Sequence, residues 1–105
     1  TLIIRQPDFA DEALAKRIIE SVKKKKPNPM LDKVKFGVIE EGRCIQMMHI
    51  GSYDSETESF KLMEQFCEEL GGKRKEKIHH EIYISDTRKT PVEKLNTVLR
   101  FKYEI

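Results

Sequence analysis

A chain of 105 residues with 38% hydrophobic side chains can build one modest core, and a large enclosed cavity would be costly in it. Its 20 basic and 18 acidic residues nearly cancel to +2, which describes a solvated surface rather than a nucleic-acid footprint. No apolar run approaches the ~20 residues of a membrane-spanning helix, and two cysteines without a CxxC pattern suggest neither a disulfide framework nor a zinc site, so a cytoplasmic setting is expected.

Thr1 to Arg5 reads as a short strand stopped by Pro7, which cannot donate to a ladder. From Phe9 onward, Leu14, Ile18 and Val22 recur at fourfold spacing with Asp11 and Glu12 at the start, the pattern of an amphipathic helix. Lys23 to Lys26 and Pro27-Asn28-Pro29 end it. This lysine run, like Lys73, Arg74, Lys75 and Lys77 later on, could face phosphates, but lysines that close a helix are favoured by its dipole, and nucleic acid is not the expected partner. Val34, Phe36 and Val38 alternate with Lys35 and Gly37 as in a half-buried strand, and Glu41-Gly42 offers a tight turn into a second strand over 43–50, which would make a hairpin.

Gly51 breaks that strand, and Ser55-Glu56-Thr57-Glu58 fits a capping box that opens a helix over 55–70. Phe60, Met63, Cys67 and Leu70 form its stripe, and Gly71-Gly72 closes it. His80, Ile82 and Ile84 alternate with Glu81, Tyr83 and Ser85 in a strand over 80–85. Pro91 opens a helical turn, and 97–103 is the last strand. The order β-α-β-β-α-β-β predicts an α+β fold, an antiparallel sheet with helices on one face. Residues 43–105 form a β-α-β-β module, and residues 1–42 read as the remainder of a first, pseudo-symmetric module that is incomplete at its N-terminus. The abrupt start in Leu2-Ile3-Ile4 marks 1–105 as a single domain from the C-terminal part of a longer chain, and an uncovered apolar groove or self-association is expected of such a piece.

The strand over 80–85 carries the residues of most chemical interest. Alternation places His79, Glu81 and Tyr83 on one face and His80, Ile82 and Ile84 on the other. If the apolar set lies under the helices, Glu81 and Tyr83 point away from them and present a carboxylate and a phenol to a cationic or aromatic ligand. The plainer reading is a polar, solvated strand face. His79 and His80 point to opposite sides, so a metal site built on the pair is not expected, and no cofactor is. His49 ends the strand over 43–50 and is either a surface histidine or a third imidazole near the same sheet. Met47, with Met48, Met63 and Met30, suits core filling or an adaptable apolar pocket, and Tyr53 could cover one end of a groove. Neither Cys44 nor Cys67 has a partner pattern that marks a nucleophile.

Two stretches carry a resemblance. His49-Ile50-Gly51-Ser52-Tyr53 is similar to the "H-x-G-x-Y" turn of the GyrI-like family, and His79 through Lys89 resembles its "HHEIYLSDPRR" strand. Thr90 through Arg100 resembles the family's "T-x-P-E-K-L-K-T-x-L-R" ending, with Thr87 standing where the family often has proline. The likeness covers about 31–100. It implies two β-α-β-β modules with a ligand groove between them, and kinship with gyrase-inhibitor proteins and with the effector-binding domains of bacterial drug-responsive regulators. It also implies that Glu81 reaches into the groove. The expected function is small-molecule binding of apolar, aromatic or cationic ligands, with Glu81, Tyr83, Tyr53, His49 and Met47 as the site. The alternative that the resemblance implies is a hydrolase that opens the cyclopropane ring of DNA-alkylating antibiotics, with Glu81 catalytic.

Overall fold

A computed structural model of residues 1–105 divides into two compact units, Thr1–Glu40 and Glu41–Ile105. The first holds one long helix, α1 (Glu12–Lys25), and a short 3-10 turn over Pro29–Lys33. Asp11 caps α1 by accepting a hydrogen bond from the Leu14 amide at 2.7 Å, and Lys23, Lys24 and Lys25 fill its last turn, where cations suit the helix dipole. The strands expected over 1–5 and 34–38 do not form, and with them goes the hairpin through Glu41-Gly42. Alternation supplies only the side chains of a strand. Its backbone must also find a ladder partner, and these segments have none. With no strand in Thr1–Glu40, no first β-α-β-β module is visible there.

The second unit is an open, four-stranded antiparallel sheet with a helix on one face. Its elements are β1 (Cys44–Ile50), α2 (Glu56–Glu69), β2 (Lys73–Arg74), β3 (His80–Tyr83) and β4 (Asn96–Glu104). β4 is the centre. It pairs along one edge with β1, from Cys44↔Lys102 to Ile50↔Asn96. Along the other edge it pairs first with β3, where Glu81 faces Leu99, and then with β2, where Arg74 faces Tyr103. The two-residue β2 was not foreseen, because two basic residues carry no periodic signal. Its Arg74 lies 4.7 Å from the Phe101 ring centre and 5.5 Å from that of Phe60, and it pairs with Glu64 of α2 at 3.1 Å.

The α2-facing side of the sheet carries Ile45 of β1 and Leu99 and Phe101 of β4, and α2 covers them with Met63 and Cys67. These five side chains are each at most 4% exposed, and burying one of the larger ones is worth about 1.5–3 kcal/mol. Helix α2 ends as its glycines foretold. The Gly71 amide donates to Glu68 and the Gly72 amide to Cys67, with Gly71 at φ +76, the left-handed residue that makes this closure possible. The start differs from expectation. Ser55 makes no side-chain cap; its hydroxyl donates instead to the Ser52 carbonyl at 2.9 Å.

The register overturns one expectation. Paired residues in an antiparallel sheet point to the same face, so Glu81 shares the side of Leu99, and Tyr83 that of Thr97, both buried under α2. His79, Glu81 and Tyr83 therefore lie on the helix side. It is the apolar set that faces away, with Ile82 in one row with Val98 and Met48, flanked by Ile50 and Ile84, which are 66% and 57% exposed. The alternation was legible. Which side met the helix was not, because the usual assignment of apolar residues to the covered face fails in this short strand.

Candidate functional site

On the helix side, two rows cross the sheet: Met47, Leu99 and Glu81, and next to it His49, Thr97 and Tyr83. Leu99 is core and Met47 is half-buried against it, so the first row runs from packed hydrophobe to carboxylate at the sheet edge. There the first turn of α2 brings Glu56 down onto Glu81, and Phe60 one turn later meets the ring of His79, with ring centres 4.6 Å apart at 64°. The 3-10 turn between β1 and α2 holds Tyr53, whose ring meets that of Tyr83 edge to face at 5.9 Å. Three of the five residues expected in the site, Glu81, Tyr83 and Tyr53, are thus brought together, joined by Glu56, His79 and Phe60.

Glu81 is the hub. The His79 Nε2 lies 3.1 Å from its Oε1, and the Tyr83 hydroxyl donates to its Oε2 at 2.8 Å. Partial burial pushes the Glu81 carboxyl up, but its hydrogen bonds with His79, Glu56 and Tyr83 outweigh this and leave its pKa below the usual value. Glu56 goes the other way. Burial, followed by the bond and the charge of Glu81, raises it to about 7, and the hydrogen bond to Glu81 raises the Tyr83 phenol as well. Glu56 is only 8% exposed, and its Oε1 is buried without a hydrogen-bond partner. Its nearby oxygens belong to another carboxyl group, so only a shared proton or a cation can reconcile the two. The donor atoms of Glu56, His79 and Glu81 all lie within 4.8 Å of one another, close enough to hold a metal ion.

His49 belongs to the support of this site. It is 4% exposed, its Nε2 donates to the Ser52 carbonyl at 2.7 Å, and its Nδ1 accepts from the Ser59 hydroxyl at 2.7 Å. Both nitrogens are engaged in tying the turn at residues 51–55 to α2. This is the mechanical meaning of the histidine, glycine and tyrosine spacing: His49 clamps the turn, Gly51 takes φ +122, and Tyr53 is delivered to the site. Sequence reasoning missed Glu56, whose position in a capping pattern pointed to helix initiation rather than to a buried acid.

A separate polar cluster occupies the opposite face. Glu41 accepts from His80 Nδ1 at 2.6 Å and from Arg100 Nη1 at 2.7 Å, while Arg100 also donates to Gln46. It borders a cleft of about 210 Å³ between β2 and β3 that touches the Glu81 site only through His79. Every charge in this cluster has a partner, so it reads as a clasp on the sheet rather than as a binding site.

One helix on an open antiparallel sheet, with an acidic, aromatic cluster at the sheet edge, defines a small α+β domain. The chain belongs to the GyrI-like small molecule binding domain family, whose model matches residues 8–104. No curated protein matches it. Among solved structures it is similar to a hydrolase from Listeria innocua, with 39% identity and a TM-score of 0.86 over 95% of this chain and 52% of that one. It is similar too to an uncharacterized conserved protein from the same organism, at 41% identity and a TM-score of 0.88, over 95% of this chain and 50% of that one. The chain thus spans about half the length of these relatives. No helix is long and apolar enough to cross a membrane.

Proposed function

We propose that this GyrI-like domain binds small cationic or aromatic molecules at the cluster of Glu81, Glu56, His79, Tyr53 and Tyr83, with Met47 and His49 as packed support. The observation that carries the reading is a carboxylate, Glu81, kept ionised in spite of partial burial and set beside tyrosines that stay 42% and 58% exposed. A fixed negative charge next to open ring faces is the arrangement that selects an organic cation.

The substitution Glu81→Gln tests it in the full-length protein. Binding of a lipophilic cation such as tetraphenylphosphonium should weaken by ~1–3 kcal/mol, the scale of a hydrogen bond to a charged group, while a neutral aromatic of similar size keeps its affinity. Equal losses for both ligands would refute the reading.

One observation favours a second reading, a hydrolase. Glu56 and Glu81 are adjacent carboxyl groups whose acidities are pushed apart, the condition under which one serves as proton acceptor and the other as donor. The similarity to the Listeria innocua hydrolase supports the same direction. In this version Glu81 takes a proton from the water whose oxygen bonds to a carbon of a strained ring, such as a cyclopropane in a DNA-alkylating antibiotic. The ring C–C bond breaks with its electron pair passing to the conjugated carbonyl that activates the ring, and protonated Glu56 supplies the proton that this group takes up. Glu81→Gln would then spare binding and lower ring-opening turnover by ~10²-fold or more.

A further inference from the structure

We propose that Glu56, His79 and Glu81 form a binding site for one divalent transition-metal ion of the zinc type. The site draws its ligands from separate places: the first turn of α2, the residue that precedes β3, and β3 itself. It uses His79 alone, since the adjacent His80 points to the opposite face and is engaged by Glu41.

The geometry is close to what such an ion needs. Bonds of about 2.0–2.1 Å in a tetrahedral shell set neighbouring donors roughly 3.3 Å apart. The His79 Nε2 to Glu81 Oε1 distance is 3.1 Å, and the carboxyl of Glu56 completes a trio whose donor atoms span at most 4.8 Å. A bound ion would draw the Glu56 carboxyl the remaining distance toward the other two.

A second, independent observation concerns Glu56. It is more than nine-tenths buried, directed at Glu81 and His79, and its Oε1 has no hydrogen-bond donor. A buried acid aimed at another acid is costly unless a proton or a cation lies between them, and a bound cation would occupy the place that the shared proton otherwise takes. The surroundings also behave as an outer shell. Tyr83 donates to the Oε2 of Glu81, which leaves Oε1, the oxygen that His79 Nε2 approaches, as the coordinating atom, and the Phe60 ring meets the His79 imidazole. One nitrogen and two carboxylates favour zinc or a neighbouring transition metal over magnesium or calcium, which prefer oxygen shells. Three protein ligands leave a fourth position for water or a small molecule.

The metal proposal stands apart from the ligand reading, and the two can fail separately: organic-cation affinity is measured with EDTA present, metal affinity without organic ligand. The test titrates zinc into untagged, EDTA-stripped full-length protein by calorimetry, in buffers that differ in ionisation enthalpy. One ion per chain should bind with net proton release, at least 100-fold more weakly in Glu56→Gln and in His79→Ala, and unchanged in His80→Ala and in Cys44→Ser. Cobalt in place of zinc should give visible bands of a nitrogen and oxygen shell without the sulfur-to-metal absorption of a thiolate. The proposal is overturned if zinc shows no saturable binding, if Glu56→Gln and His79→Ala bind it as the parent does, or if cobalt reports thiolate. Circular dichroism in EDTA confirms that each variant is folded, and should Glu56→Gln not fold, the outcome for His79→Ala decides.

Discussion

Glu56 and Glu81 turn their carboxyl groups toward each other where α2 meets β3, and the protein resolves the conflict by dividing their acidities. Glu56 titrates near 7 in the folded chain against a usual 4.5. The folded state therefore holds a proton that the unfolded chain releases over this interval, and the stability it gives is complete below about pH 4.5 and lost as pH rises through 7. In EDTA, denaturant unfolding should show a decline on the order of 1–3 kcal/mol between pH 5 and pH 8. Glu56→Gln, whose amide can donate to Glu81, should flatten that profile and exceed the parent in stability at pH 8. A parent whose stability does not change over this range would contradict the pairing.

Ser59→Ala removes the hydroxyl that donates to the buried Nδ1 of His49. Leaving that nitrogen unpaired should cost about 1–3 kcal/mol. Because His49 holds the turn that delivers Tyr53, the same change should also weaken binding of an aromatic ligand. Thermal melts read the first effect and ligand titration the second, and the variant should fail in both.

Gly72 is required by space rather than by backbone angle. A Cβ there would lie 2.8 Å from the Tyr103 ring and 3.0 Å from the Glu104 carbonyl oxygen. Gly72→Ala should destabilise the second unit by ~1–3 kcal/mol through overpacking, and Tyr103→Leu, which removes the ring, should recover part of the loss. Additive losses in the double variant would show that ring and glycine do not meet.

Much of the second unit was legible in the sequence. Helix α2 announced itself by Phe60, Met63 and Cys67 on one stripe and by the glycine pair at its end, and the alternation in β1, β3 and β4 set their strands within a residue or two. The α+β class and the grouping of Glu81 with Tyr83 followed from the same patterns. What stayed hidden depended on distant partners. The alternation of Val34, Phe36 and Val38 gave no strand because no ladder meets it, and the covered face of β3 was set by its pairing with β4. Glu56 was hidden for a related reason: helix geometry places a first-turn acid at a dipole, and only tertiary packing turns it toward Glu81.

All three other strands pair with β4 and with nothing else, so no ladder exists until the last strand of the chain is in place. Cys44 must wait for Lys102, and His80 for Arg100, before any ladder exists. No hairpin between β1 and a sequence neighbour can hold the chain in the meantime. Assembly of the sheet is then a late event that completes the site with it, with the non-local character of folds that take roughly milliseconds to seconds to form. The ligand cluster, built where β3 and α2 meet across that sheet, comes into existence only once β4 is in place.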